Sequence, residues 1–305
     1  MPSPSRTDAG GALPPAAVAL MLLLCGVWGL NLVAMKVTSA GIPPVLQAGL
    51  RSVVAAGLVP LLCRPLGLTF GEWRQPRLLL PGIAAGLLFA VEFIALYVGI
   101  GLTTASRGVV FLYGAPFWVA LGTHWLVPGD RLTRAKALGL CVAFGGLVLA
   151  FAEGLRAPGG PDMLAGDLLC LIGGALWAAT TVLVKASPLR EASPAFVLQV
   201  QLVVSAPPLL LASALLGEPW AIDPQPLVLA TFLYQAAGIA GASYLTWFWL
   251  VSRHSASRLA AFSVLTPIFG VAAGALLLGE PLGGGFLASV ALVALGLWLV
   301  NRPAG

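Results

Sequence analysis

The sequence predicts an all-α membrane protein of ten transmembrane helices, built as two inverted five-helix repeats with both termini in the cytoplasm. Three observations carry that expectation. Of the 305 residues, 59% are apolar and only 9% are charged, a balance far from that of soluble domains. Charges and Pro/Gly clusters cut the chain into apolar runs of roughly 20 residues, the length that crosses a hydrocarbon core as a helix. Three patterns also recur in the same order. Trp28-Gly29 with Lys36 returns as Trp177-Ala178 with Lys185, Ala105-Ser106-Arg107 with Pro116 as Ala256-Ser257-Arg258 with Pro267, and Gly129-Asp130 with Leu132 as Gly279-Glu280 with Leu282. Ordered self-similarity marks a repeat, and an odd number of spans per copy inverts the second copy relative to the first.

The elements follow in order. The run 14–36 comes after a short stretch carrying only Arg6 and Asp8; it is too long for a signal-peptide core and no small-residue cleavage pattern follows it, so it is read as a retained span. Arg64, Arg74 and Arg77 separate 45–63 from 78–100, and only Gly99–Thr104 divides the latter from 104–126. Basic residues from Arg131 to Lys136 lead into 136–152, and the loop Gly154–Gly166 joins the halves. The second half then reads 164–185, 195–216, 226–250, 259–278 and 284–300, interrupted at Arg190, at Glu218 with Asp223, at Arg253 with His254, and at Gly279-Glu280. The repeat units are expected at 1–152 and 153–305.

Loop charge sets the orientation. With the N-terminus inside, Arg6, Arg64, Arg74, Arg77, Arg131, Arg134, Lys136, Lys185, Arg190, Arg253, Arg258 and Arg302 are cytoplasmic, against only Lys36, Arg107 and Arg156 outside. These basic residues are scattered through short loops, so the formal charge of +5 is no nucleic-acid footprint. Cys25, Cys63, Cys141 and Cys170 lie in apolar runs with no CxxC pair, and read as small core residues rather than disulfides or metal ligands. No GxxxxGK phosphate loop and no HExxH or Ser/His couple is present, which argues against an ATP-driven device or an enzyme. Neither cofactor nor metal is expected; the partners are a small-molecule substrate and the lipid bilayer, with the chain acting as a monomer.

Ionisable groups at membrane depth are costly and therefore functional suspects. Arg51 and Glu92 lie at similar depth below the outer surface, as a structural ion pair or as groups that line a cavity, Arg51 for a carboxylate and Glu92 for an ammonium or a coupling proton. Trp28 and Trp177 lie mid-span, away from the headgroup level where membrane tryptophan collects. Asn31, Thr180 and Thr181 follow them by three or four residues and share their helix faces. Polar atoms beside an aromatic plane suit a small amphipathic ligand, although Asn and Thr also bond neighbouring helices. Tyr113 precedes Pro116, whose missing N–H frees a carbonyl; Pro116 and the matching Pro267 are hinge candidates. Lys36, Arg107, Lys185 and Arg258 occupy helix ends as gate residues or as headgroup-seeking side chains. The aromatic cluster Tyr244 to Trp249 at the end of the eighth run reads as an interfacial belt.

Two five-span copies, each with an early Trp and Lys, a late Ser followed ten residues on by Pro and a Gly-acid turn before its last span, resemble the drug/metabolite transporter superfamily in its EamA-type branch. The resemblance covers nearly the whole chain. It implies a bacterial inner-membrane carrier with a central cavity between the halves and alternating access. The regions of Trp177 and Glu92 look similar to those of exporters of amino acids, including aromatic ones. Two departures stand out: no acid occupies the first span, where the small four-span relatives carry theirs, and Ala115 stands before Pro116 where a bulky aromatic is expected. The expected function is export of small metabolites, foremost amino acids with apolar or aromatic side chains. The alternatives are antiport of phosphorylated or nucleotide-linked sugars, which basic residues at both mouths would suit, and broad drug/metabolite export.

Overall fold

Proline and serine start these helices. In the computed structural model, which describes residues 13–64, 70–103, 105–150, 152, 161–278 and 285–302, α1 (Pro15–Thr38), α2 (Pro44–Cys63), α3 (Pro76–Leu102), α8 (Pro194–Leu215) and α9 (Pro226–Leu233) all begin at a proline. A first-turn proline has its φ preset and lacks a donor the helix would leave unpaired. Ser193 caps α8 by accepting from the Phe196 amide at 3.2 Å. The remaining helices are α4 (Ala105–Leu112), α5 (Ala115–Leu126), α6 (Arg134–Ala150), α7 (Pro161–Ala186), α10 (Tyr244–Arg253), α11 (Ala256–Phe262), α12 (Leu265–Leu278) and α13 (Phe286–Asn301). The described residues contain no strand. Gly279-Glu280, Glu153, Arg156 and most of the loop before Gly166 lie outside the described residues, as do the side chains of Lys36 and Ser106.

Among the described residues, six helices are long and apolar enough to cross a membrane: Pro15–Met35, Pro44–Cys63, Pro76–Leu102, Asp162–Ala186, Pro194–Leu215 and Pro226–Arg253. The segments Ala256–Gly270 and Leu287–Asn301 are shorter apolar helices. Two runs that the sequence suggested as continuous are broken. α4 stops at Leu112 and α5 starts at Ala115; α11 stops at Phe262 and α12 starts at Leu265. Pro116 and Pro267 explain both breaks, since each removes the amide that would bond the carbonyl four residues earlier, at Leu112 and Ser263. The continuous helix expected over 226–250 also differs, because Tyr234–Ser243 winds as a π-helix between α9 and α10, in a stretch of small residues that tolerates the wider turn.

Packing brings distant segments of sequence together: α3 lies on α7, α2 on α8, α1 on α12 and α6 on α13. Glycine makes the last contact possible. A Cβ on Gly296 would stand 2.4 Å from the Ala143 nitrogen and 2.5 Å from the Gly139 oxygen, so the two backbones touch directly. The exterior is apolar, with Leu80, Trp125, Leu215 and Leu287 each at least 75% exposed. So wide an apolar surface fits a lipid solvent and not water. Cys25, Cys63 and Cys170 are buried as expected, but Cys141 is exposed; α6 turns that face away from α13.

Candidate functional site

A cavity opens where α1, α3, α4, α7 and the π-helix with α10 converge. It offers about 120 Å³ to the centres of water-sized molecules, and one water takes roughly 10–15 Å³ on that scale. A metabolite of amino-acid size therefore fits. Its wall extends from Trp247 and Phe248 at mid-depth to Met35, Ile100 and Gly108 near the far helix ends.

Seven of the residues singled out from sequence as site candidates meet on this wall: Trp28, Asn31, Glu92, Tyr113, Trp177, Thr180 and Thr181. Trp28 and Trp177 flank a third tryptophan, Trp247, at ring-centroid distances of 5.8 and 5.9 Å. Trp28 is fixed by donating from Nε1 to Ser243 Oγ at 2.9 Å, while Ser243 donates to the Ile239 carbonyl. Thr180 and Thr181 donate to carbonyls one turn back in their own helix, at Leu176 and Trp177, which leaves their oxygens able to accept. Asn31 Nδ2 reaches only the Met35 sulfur at 3.4 Å, and its Oδ1 has no partner. Tyr113 occupies the break between α4 and α5.

Arg51 is the exception. It is fully buried but does not line the cavity; its guanidinium carbon lies 4.3 Å from the centroid of Phe93 and 6.0 Å from that of Tyr244, and both of those rings do line it. None of its three nitrogens makes a hydrogen bond of normal geometry. Glu92, one residue before Phe93, has its Oε2 buried without a partner. The direct ion pair between Arg51 and Glu92 that the sequence allowed is not made; the described ion pairs involve other residues.

Two of the residues read as gates, Arg107 and Lys185, are tied into networks at the two ends of the bundle. Arg107 donates from Nε to both oxygens of Asp167 at 3.2 and 3.0 Å and pairs through Nη2 as well, while Thr103 donates to Asp167 Oδ1 at 2.7 Å. At the other end Lys185 donates to the Val251 and His254 carbonyls at 2.7 and 2.9 Å, satisfying the C-terminus of α10. Beside it Asp130 accepts from Lys136 Nζ at 2.8 Å, Ser255 Oγ at 2.7 Å, the Ser257 amide at 3.1 Å and Ser257 Oγ. Burial pushes the Asp130 carboxyl up, but the Lys136 ammonium and the hydrogen bonds from Lys136, Ser257 and Ser255 outweigh it and hold it below the usual carboxylate range. Gly129 sets up this contact with a φ of 88°, a region that glycine alone enters freely. Arg258 is buried close by. Pro116 and Pro267 sit just after the two helix breaks, and Lys36 belongs to α1 with its side chain outside the described residues.

Sequence reasoning missed part of the wall. Tyr244, Trp247 and Phe248 were expected at the interface, yet all three face the cavity, whereas Trp249 is exposed with Arg253 stacked 4.5 Å over its ring. The signal was present: positions 244, 247 and 248 share one helix face and 249 does not. Phe89 and Phe93, one turn apart and 4.7 Å between centroids, complete the aromatic lining on the helix that carries Glu92.

Comparison with known proteins places this chain in a family. The EamA-like transporter family matches residues 15–152 and again residues 164–302. The chain belongs to that family, and it is a multi-pass membrane transporter. It is 31% identical over 292 residues to a probable amino-acid metabolite efflux pump of Salmonella typhimurium, covering 92% of this chain and 93% of that protein. It is 28% identical over 291 residues to a protein of the same description from Escherichia coli, covering 92% and 93%. A crystal structure titled only as that of a protein superposes with a TM-score of 0.79 at 18% identity, covering 94% of this chain and 97% of that one; at that identity the likeness is one of fold.

Proposed function

We propose that this chain is a ten-span secondary transporter of the bacterial inner membrane that exports amino acids with apolar or aromatic side chains. The observation that carries the reading is the cavity itself, a wall of aromatic rings with one carboxylate, Glu92, on the same helix as the packed pair Phe89 and Phe93. Trp28, Trp177 and Tyr113 supply apolar walls, Asn31 and Thr180 polar contacts, Glu92 the ammonium site, and Arg51 the positive charge behind the wall. The printed names of the Salmonella and Escherichia relatives support an amino-acid metabolite as cargo.

In this reading residues 1–152 and 153–305 are inverted repeats with both termini cytoplasmic. The twofold family match and the packing of α1 on α12 and of α7 on α5, reciprocal across the repeats, support that division. Alternating access then requires the cavity to open at one end and close at the other. The Asp130 and Lys185 networks and the tryptophan trio close the end they occupy, and Pro116 and Pro267 lie where bending is cheapest. Because Arg107 is engaged by Asp167, a mouth lined with available cations for phosphorylated sugars is disfavoured. The protein works as a monomer, since one chain holds both halves.

Flux of labelled L-phenylalanine, L-leucine and L-threonine through proteoliposomes, with and without an imposed proton gradient, tests the reading. Transport of at least one, reduced about tenfold or more by Glu92→Gln through loss of one charge-assisted contact, is the expected result. No movement of any amino acid in either direction refutes it.

A further inference from the structure

Arg51 presents an unusual combination: complete burial at membrane depth, no hydrogen bond of normal geometry on any nitrogen with only the Tyr244 side chain within reach among the described residues, and the Phe93 ring stacked against it, which lines the cavity where Arg51 does not. A guanidinium without a carboxylate in contact in such a place is among the costliest groups a protein can keep. Stacking on Phe93 offsets only part of that cost. The neighbouring Glu92, which lines the cavity, has an oxygen with no partner. The two opposite charges thus both adjoin Phe93 and do not form a direct ion pair. A free amino acid carries the two complementary charges on adjacent atoms.

Resting on the amino-acid reading above, we propose that Phe93 is a specificity-determining shutter: it turns aside when substrate enters, so that the substrate carboxylate reaches the guanidinium of Arg51 while its ammonium stays on Glu92. The exchange is favourable in two ways. The carboxylate supplies the bidentate partner that a planar guanidinium takes best. The apolar side chain of the substrate enters the aromatic wall where the Phe93 ring had been packed against Phe89, 4.7 Å away. An amine without a carboxylate gains the Glu92 contact but leaves Arg51 unsatisfied, and a carboxylate without an amine lacks the Glu92 anchor. Discrimination comes from the unsatisfied partner.

Calorimetric titration of the purified chain in lipid nanodiscs with L-phenylalanine, 2-phenylethylamine and 3-phenylpropionate tests this. The wild type is expected to bind L-phenylalanine at least about tenfold more tightly than 2-phenylethylamine, the minimum for one charge-assisted hydrogen bond. Arg51→Met, which replaces a buried charge without a carboxylate in contact by an apolar side chain of similar length and so leaves the fold intact, brings the two within about twofold. Phe93→Ala, or Phe93→Leu should the alanine variant not purify as a single species, exposes Arg51 permanently, so 3-phenylpropionate binds at least about fivefold more tightly than to the wild type. An unchanged amine-to-amino-acid ratio in Arg51→Met overturns the proposal, as does a Phe93 variant that shifts all three ligands equally. Wild type that binds the amine and the amino acid equally refutes the shutter and leaves the amino-acid reading standing. Wild type that binds none of the three removes both.

Discussion

Asp130→Asn should destabilise the folded protein by about 3 kcal/mol, the low end for removing one partner of a buried ion pair. The magnitude follows from what the carboxylate holds. It accepts from Lys136, Ser255 and twice from Ser257, joining the turn after α5 to the start of α11 across about 127 residues of sequence. An amide keeps part of that hydrogen bonding but no charge, so the Lys136 ammonium, 5% exposed, is left with the Ser257 hydroxyl at 2.9 Å. For a chain of this size about 1.5 °C accompanies each kcal/mol, so the midpoint of a thermal scan followed by tryptophan fluorescence should fall by about 5 °C. Asp130→Asn with Lys136→Met removes the orphaned charge and should recover at least half of the loss. Acidity gives a second check. Because the folded carboxyl titrates below its unfolded value of about 3.9, the stabilisation is complete above that pH and disappears as pH falls through the lower folded value. The difference between wild type and Asp130→Asn should therefore be constant from about pH 8 to pH 5 and vanish only in stronger acid. A shift below about 1.5 °C (about 1 kcal/mol or less), or a double variant no better than the single, refutes the reasoning.

Other consequences are simpler to state. Gly296→Ala forces a methyl into the Ala143 and Gly139 backbones and should cost about 1–3 kcal/mol by overpacking, read as a lower thermal midpoint. Ser243→Ala removes the acceptor that orients Trp28; about 1 kcal/mol of positioning is lost, and transport should show a raised KM with little change in protein yield. Trp247→Ala removes the ring that both Trp28 and Trp177 contact and should weaken export of aromatic substrates more than that of small ones, measured as the ratio of L-phenylalanine to L-threonine flux.

The residues differ in how openly their sequence declared their place. Hydropathy is a sum over a whole run, so the helical bundle was readable from composition and the length of the apolar runs. Trp28, Trp177 and Glu92 were conspicuous because a tryptophan or a carboxylate at mid-span opposes the usual partition, and all three stand on the cavity wall. Trp247 and Phe248 were not, since aromatic residues near a helix end look the same whether they face headgroups or a neighbouring helix. Arg51 was conspicuous by its charge, but its place behind Phe93 depends on how α2 and α10 meet α3, which no local pattern encodes. The breaks at 113–114 and 263–264 were implied by Pro116 and Pro267, yet hydropathy runs straight through them. The π-helix at Tyr234–Ser243 had no readable signal beyond a run of small residues.

The glycine seam between α6 and α13 supplies a reference frame for watching this protein move. Where Gly296 lies against Gly139 and Ala143, main chain meets main chain with no long side chains between to re-pack. A contact of that kind has few neighbouring arrangements, so the two helices travel together as one rigid bar. A pair of spectroscopic labels on α6 and α13 should therefore hold a constant separation through a transport cycle. Against that fixed length, any change measured from α6 to the helices around the cavity is motion of the cavity.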